Sequence, residues 1–215
     1  MNIVSIVFPH QLFKDQPALD PTIPVYLVEE WLFFKQFPFH FQKLLLHSAS
    51  MQQYKDFLAN KGYIVQYIET NETISNVLQL VPHLAKNGVT QIRVVDPTDN
   101  WLDKRLSESC KKNNITIEQF NSPGFLNTLS TTDAFFEKRN RFFQTDFYTW
   151  QRKSRKILVN EALQPDGGKW TFDADNRDKY PKNKQAPTCE FMDENGLIKA
   201  ATKYITQHFP NNPGS

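Results

Sequence analysis

The hydrophobic and polar positions of this 215-residue chain form blocks that alternate between strand-like and helix-like spacing. Short, mostly apolar runs have the length and character of strands buried on both faces. They are Ile3–Phe8, Pro24–Glu29, Tyr63–Glu69, Gln91–Asp96 and Ile115–Phe120. Helical spacing dominates between most of them. Such alternation predicts an α/β domain with a parallel sheet and right-handed crossovers.

The stretch after the second strand carries a helical stripe that includes two histidines. Apolar and histidine side chains recur there at steps of three and four, the spacing of one helix face. They are His40, Leu44, His47, Met51, Tyr54 and Leu58. Either histidine alone is more often a satisfied core residue. Several polar groups at one strand-to-helix corner favour a ligand site instead, because ligands bind at that edge of a parallel sheet.

Capping residues place the ends of the other helices. Gly62 suits the left-handed position after the histidine-bearing helix, which is predicted over Pro38–Asn60. A second helix over Ile74–Leu84 is predicted to bend at Pro82. Asp99 is predicted to cap a third helix.

The character of the sequence changes after Leu126. Thr131–Leu158 is predicted to be helical and is rich in aromatic and basic residues. Such a segment can stack on nucleic acid, pack its rings on the domain with its charges in water, or dock a further domain. We favour packing on the domain. Residues 161–215 are polar and proline-rich, which predicts a linker with one short helical pattern at Ile198–His208.

Composition narrows the classes of function. A net charge of +2 gives no reason to expect general polyanion binding, and no apolar run approaches a membrane span. The N-terminus lacks the features of a signal peptide, so we expect a cytoplasmic protein. Cys110 and Cys189 lack metal-ligand spacing, and we expect two reduced thiols and no metal site.

The motif content indicates binding more than catalysis. Neither a glycine-rich phosphate loop nor the zinc-protease and paired-cysteine motifs occur. Ser48 and Ser50 lie near His47, but a mid-helix serine lacks the strained turn that exposes a nucleophile, so we expect no catalytic residue. The polar groups that remain can hydrogen-bond a heteroaromatic ring or a polyol, and nearby phenyl rings can stack on it. They are His10, Gln11, Glu29, Glu30, His40, Lys43 and His47, walled by Phe8, Phe33 and Phe34.

Several segments resemble the bacterial photolyase-related proteins, a group that includes prokaryotic (6-4) photolyases and iron–sulphur bacterial cryptochromes. The similar segments occur in collinear order over nearly the whole chain. They are IVFPHQL at the first strand, FHFQKLLLHSASM in the following helix, SPGFL at Ser122–Leu126, FYTWQRKSRKILV at Phe147–Val159 and GGKWTFDADNRDKYPK at Gly167–Lys182.

The resemblance implies a Rossmann-like α/β domain with a five-stranded parallel sheet in the order 3-2-1-4-5, flanking helices and a C-terminal linker. In this family that domain can hold an antenna chromophore, a ribityl-lumazine in characterised members, and we expect that ligand or a flavin here. FAD and an iron–sulphur cluster belong to a helical C-terminal domain that acts on DNA lesions. We expect an antenna-type domain over residues 1–130, a basic aromatic segment packed on it over 131–160, and a linker over 161–215 that stops before that helical domain. The chain alone is then expected to have no light-driven repair activity.

The resemblance also implies a chromophore site at the carboxyl ends of the first two strands, between His10 and the start of the long helix. The family's Gly-Asp pair is Pro9-His10 here, Glu29 keeps one acid in register, and Phe33 and Gln36 replace a glutamate and a tyrosine. An empty pocket therefore stays an alternative, with the domain acting as a non-catalytic scaffold that docks a helical domain or DNA. The candidate cofactor-binding residues are Phe8, Pro9, His10, Gln11, Glu29, Phe33, Gln36, His40, Lys43 and His47.

Overall fold

The computed structural model describes residues 2–174, 177–190 and 196–214. The chain forms two compact units, one made of Met1–Leu126 with Asp193–Ser215 and the other of Asn127–Met192. Positions 175–176 of the Gly167–Lys182 motif and 191–195 of the expected linker lie outside the described residues. The strands are β1 (Asn2–Val7), β2 (Val25–Val28), β3 (Val65–Ile68), β4 (Val89–Val95) and β5 (Thr116–Phe120). The α-helices are α1 (Trp31–Phe34), α2 (Phe41–Asn60), α3 (Val77–Lys86), α4 (Asn100–Lys112), α5 (Leu129–Phe136), α6 (Gln144–Arg155) and α7 (Gly196–His208).

The five strands form one parallel sheet in the order β3-β2-β1-β4-β5, which confirms the predicted fold class and strand order. Ile6 of the central strand pairs with Tyr26 on one side and Val94 on the other. The chain runs outward from β1 through β2 to β3, then returns to the other side of β1 for β4. The direction of winding therefore reverses between β1 and β4, and this is where α/β sheets open a crevice at the carboxyl ends of the strands.

Local capping agrees with the sequence at several helix ends. Gly62 follows Lys61, the C-cap of α2, and has a φ of +85°, the left-handed conformation that glycine adopts at lowest cost. The side chain of Asp99 accepts hydrogen bonds from the backbone N–H groups of Trp101 and Leu102 at 2.9 and 2.8 Å, which caps α4 as predicted. α3 begins at Val77, three residues later than predicted, and Pro82 lies inside it. The bend at Pro82 stays a prediction.

The long helix begins later than predicted, and this changes the role of its first histidine. α2 starts at Phe41, and His40 is its N-cap, with Nδ1 accepting from the backbone N–H of Gln42 at 3.2 Å. The prediction that His40 shares the buried helix face is therefore wrong, because a cap residue has a non-helical backbone and this one is exposed. The rest of the stripe behaves as predicted, since Leu44, Met51, Tyr54 and Leu58 are buried and His47 is half-buried.

The sheet has a separate apolar core on each face. On one face, Ile6 and Ile92 belong to a cluster with Leu80 of α3 and Leu102 of α4. On the other face, Val7, Leu27 and Phe34 belong to a cluster with Leu44 and Met51 of α2.

Residues 196–214 do not behave as a linker. Ile205 of α7 and Phe209 after it are buried in the α2-side core, and Asn212 Nδ2 donates to the carbonyl oxygen of Phe39 at 2.8 Å. The backbone N–H of Phe41 donates to the carbonyl oxygen of Pro213 at 2.7 Å. The sequence showed the helix, but its partners lie far earlier in the chain, as Asn212 and Phe39 do at a separation of 173 residues, so local pattern could not reveal its docking.

The second unit contains two helices where the sequence predicted one. α5 ends at Phe136 and α6 begins at Gln144, so the predicted Thr131–Leu158 helix is interrupted. Five rings pack on one another across the break, with Phe135 at the centre, 4.7 Å from Trp150 and 5.1 Å from Phe147 by ring centroids. The prediction that this segment packs on the α/β unit stays a prediction. In the part of the chain that the structure describes, no helix is both long and apolar enough to cross a membrane.

Candidate functional site

Gln11 ties β1 to β4 at the point where the winding of the sheet reverses. Its side-chain Nε2 donates to the carbonyl oxygens of Val95 and Asp96, at 2.9 and 3.0 Å. Those two acceptors fix the orientation of the amide, because a flipped amide would set oxygen against oxygen. Gln11 is 1% exposed, and its Oε1 has no hydrogen-bond partner within the described residues. A buried acceptor is thus left open at the expected ligand edge.

His10 follows the buried Phe8 and Pro9 and places an imidazole against Phe33. The two ring centroids are 4.8 Å apart. His10 Nε2 lies 2.7 Å from the carbonyl oxygen of Pro97, so Nε2 carries the proton, and Nδ1 of the neutral ring is an acceptor. Partial burial of the ring lowers the pKa of His10 below its ordinary value, although the residue as a whole is exposed. The lowered pKa favours a neutral His10 at neutral pH.

His47 extends this arrangement from α2. Its ring lies 6.2 Å from Phe33 and 5.9 Å from Phe34, centroid to centroid. Burial, with the nearby charges of Lys43 and His10 as smaller causes, lowers the pKa of His47 to about 4. Lys43 is exposed, and its ammonium lies 3.5 Å from the centroid of the Phe39 ring. His10, Phe33 and His47 therefore form a row of uncharged rings at neutral pH, which we call the ring row.

Glu29 is buried and already holds three donors from its own chain. The Tyr67 hydroxyl donates to Oε1 at 2.7 Å, while the Tyr204 hydroxyl and the Thr70 backbone N–H donate to Oε2 at 2.7 and 2.9 Å. Burial raises the pKa of Glu29, and these hydrogen bonds oppose the rise. A ligand that bonded Glu29 would have to displace one of the three donors.

Glu30 belongs to the other face of the sheet. Its Oε2 accepts from the backbone N–H of Val77 at the start of α3, at 3.0 Å. Its Oε1 is buried and has no partner among the residues that the structure describes. Burial raises the pKa of Glu30 to about 7, and the charge of Arg105 opposes the rise. The sequence grouped Glu30 with Glu29 and His47, and the structure instead bonds it to α3.

The start of α2 is less open than the sequence suggested. The backbone N–H groups of Phe41 and Gln42 already donate to Pro213 and to the His40 ring. The partial positive charge of this helix end is therefore partly used within the chain. Gln36 makes no hydrogen bond to Glu29 or Glu30. It lines a separate cleft together with the last residue of α7 and residues that follow it.

Sequence reasoning missed Tyr67, Tyr204 and Arg105. Tyr67 lies within a predicted strand. The strand that pairs with it, β2, is followed by Glu29, and this is a weak indication that the two side chains meet. Tyr204 and Arg105 carried none, because each meets its glutamate only through tertiary packing. Among the described residues, no three histidine, cysteine, aspartate or glutamate side chains are grouped so that they could hold a metal ion.

Comparison with known proteins identifies the family. The family model for deoxyribodipyrimidine photo-lyase-related proteins matches residues 5–215. The chain is also similar to uncharacterized protein R852 of Acanthamoeba polyphaga mimivirus, at 33% identity in an alignment 193 residues long that covers 84% of this chain and 96% of the relative. The chain belongs to the family of deoxyribodipyrimidine photo-lyase-related proteins.

Proposed function

We propose that this α/β unit binds a planar heteroaromatic chromophore at the carboxyl ends of β1 and β2, as an antenna for photochemistry carried out by a photolyase-related protein. The observation that carries the proposal is the ring row. His10, Phe33 and His47 come from three different elements and meet at one sheet edge. Aromatic faces with few, well-placed polar groups are typical of small-molecule sites.

The donors and acceptors of the ring row suit a ribityl-lumazine or a flavin. Both ligands have ring N–H and C=O groups and polyol hydroxyls. Nδ1 of His10 can accept from a hydroxyl. Oε1 of Gln11 is buried and has no partner among the described residues, so it can accept from a ring N–H only after neighbouring side chains move to uncover it. Because His10 and His47 are favoured as neutral, they add no charge to the face on which an uncharged ring would stack.

FAD and an iron–sulphur cluster have no proposed site in this chain. The expectation that a photolyase-related protein carries these two groups and acts on DNA rests on family membership. We place both groups in a separate helical domain of a photolyase-related protein, a domain that the α/β unit would serve by energy transfer.

Phe33 gives the sharpest test of the ring row. Titrate 6,7-dimethyl-8-ribityllumazine, riboflavin and FMN into the protein and follow quenching of ligand fluorescence. Phe33→Leu should weaken binding by about two- to tenfold, because ring stacking contributes about 0.5–1.5 kcal/mol beyond the area buried. Phe57→Leu is the matched control, since Phe57 is also half-buried but stacks on Tyr54, 5.7 Å away. Equal losses in both variants, or no binding by wild type, would contradict the proposal.

A second function is favoured by the state of Glu29. Both of its oxygens are satisfied by the protein's own groups, as expected for a structural acid in a non-catalytic scaffold that docks another domain. The absorption spectrum of protein purified from its native host separates the two functions. A bound chromophore absorbs in the near-UV or blue, whereas a scaffold shows only the tryptophan and tyrosine bands.

A further inference from the structure

A cleft of about 320 Å³ opens in the α/β unit between the segment after α1 and the residues that end α7. Gln36 and Phe37 lie on one wall, and His208 and Asn212 lie on the other. The sequence placed the first wall next to the chromophore site and the second wall in a linker, so it predicted no cleft here. Neither the ring row nor the two buried glutamates line it.

The core of the unit holds the two walls in place. Phe34 and Phe209, both buried, contact each other beneath the cleft with ring centroids 6.4 Å apart. The hydrogen bond from Asn212 Nδ2 to the Phe39 carbonyl oxygen, 2.8 Å long, joins the walls at the surface. Since buried packing and a hydrogen bond fix both sides, the cleft is formed before any ligand arrives.

The lining combines open aromatic surface with unused polar groups. The Phe37 side chain is 59% exposed and meets Phe39 edge-to-face at 5.8 Å. The side-chain amide of half-buried Gln36 makes no hydrogen bond to a residue that the structure describes. The His208 ring rests on Tyr204 at 4.6 Å, and neither of its nitrogens bonds to the described part of the chain. An amide and an imidazole each offer one donor side and one acceptor side.

We infer that this cleft is a second binding site, for a small planar nitrogen heterocycle that carries N–H and C=O groups on its edge. The ring packs on Phe37, and the edge hydrogen-bonds to Gln36 and His208. The volume lies at the small end of the range for ligand sites and suits one bicyclic ring system. The site goes beyond the proposed function, because it does not use the ring row and does not depend on a chromophore there.

Two isosteric substitutions test the hydrogen bonds without emptying the core. Gln36→Met keeps the length of the side chain and removes its amide, and His208→Phe keeps a ring on Tyr204 and removes the nitrogens. Gln207→Met makes the same chemical change on an exposed position of α7 and is the control. Melting temperatures measured by circular dichroism show whether each variant is folded.

Binding of lumazine, uracil and guanosine is measured by chemical-shift changes in the isotope-labelled full chain, with naphthalene as a ring that lacks polar groups. We expect signals from residues 34–37 and 208–212 to shift with at least one heterocycle. Gln36→Met and His208→Phe should each weaken that binding by about three- to tenfold, the effect of one hydrogen bond. Gln207→Met should leave it unchanged.

Three results overturn the inference: no heterocycle shifts these signals at millimolar concentration, naphthalene binds as well as the heterocycles, or both cleft variants bind normally. Failure of the proposed function has a different signature. In that case Phe33→Leu leaves ribityllumazine and flavin binding intact, or those ligands do not bind, while the cleft results stand unchanged.

Discussion

Glu30 is a fully buried carboxyl group with one oxygen hydrogen-bonded and the other open. Ionisation there is opposed by burial and only partly supported by Val77 and Arg105, so the pKa rises from 4.5 to about 7. The folded state therefore binds a proton in a pH range where the unfolded chain has lost it. The stability that protonated Glu30 provides is fully present below about pH 4.5 and is lost as the pH rises to about 7.

Glu30→Gln should remove this pH dependence. The free energy of unfolding of wild type, relative to the variant, is expected to fall by at most about 3 kcal/mol as the pH rises from about 4.5 to about 7. Urea denaturation at a series of pH values measures it. Taking the difference from the variant cancels other titrating groups, including Glu29, His10 and His47. Parallel wild-type and variant curves across that range would show that Glu30 is ionised in the folded protein like an exposed acid.

The tyrosines on Glu29 make a second prediction at this scale. Tyr67→Phe and Tyr204→Phe each remove one donor from a buried carboxylate, and each is expected to lower the free energy of unfolding by about 1–3 kcal/mol. Tyr63→Phe is the control, because its hydroxyl makes no hydrogen bond within the described residues. In the background of Glu29→Gln both effects should shrink, since the acceptor charge has gone. Effects that simply add in the double variants would refute direct coupling.

At the scale of elements, the sequence was most informative where a pattern is local. The strands, the stripe of α2 and the Asp99 cap follow from periodicity and from side chains within a few residues of each other. The sequence was least informative about contacts between residues that are far apart in the chain. Glu29 was correctly placed at the end of β2, but the tyrosines that satisfy it come from β3 and α7. No local pattern encodes such contacts.

The docking of α7 can be tested with two neighbouring positions. Ile205 is fully buried in the α2-side core, while Thr206 is exposed. Ile205→Ala is expected to destabilise the protein by about 2–5 kcal/mol, because it leaves a cavity among well-packed side chains. Thr206→Ala should change stability by less than about 0.5 kcal/mol. A small effect of Ile205→Ala, measured by chemical denaturation, would mean that α7 is not part of the core in solution.

For the whole molecule, the net charge is the main determinant of its non-specific affinity for DNA. The 25 basic and 23 acidic side chains nearly cancel, leaving +2. The aromatic rings of the second unit do offer stacking surface, and Arg139 lies 3.9 Å from the Phe135 ring centroid. That guanidinium is partly engaged, however, because its Nε donates to the Phe135 carbonyl oxygen at 3.0 Å.

Because phosphate neutralisation supplies nearly all non-specific affinity, we expect this chain to bind DNA only weakly at physiological salt, with a Kd above about 1 μM. Fluorescence anisotropy with single- and double-stranded oligonucleotides at several salt concentrations measures both affinity and salt slope. A shallow slope is expected, since a chain with a net charge of +2 neutralises few phosphates. Arg139→Gln tests the basic aromatic segment, and Lys203→Gln on α7 is a control with the same loss of charge. Submicromolar binding that falls in Arg139→Gln and not in Lys203→Gln would establish the second unit as a nucleic-acid site and reverse our preference for ring packing.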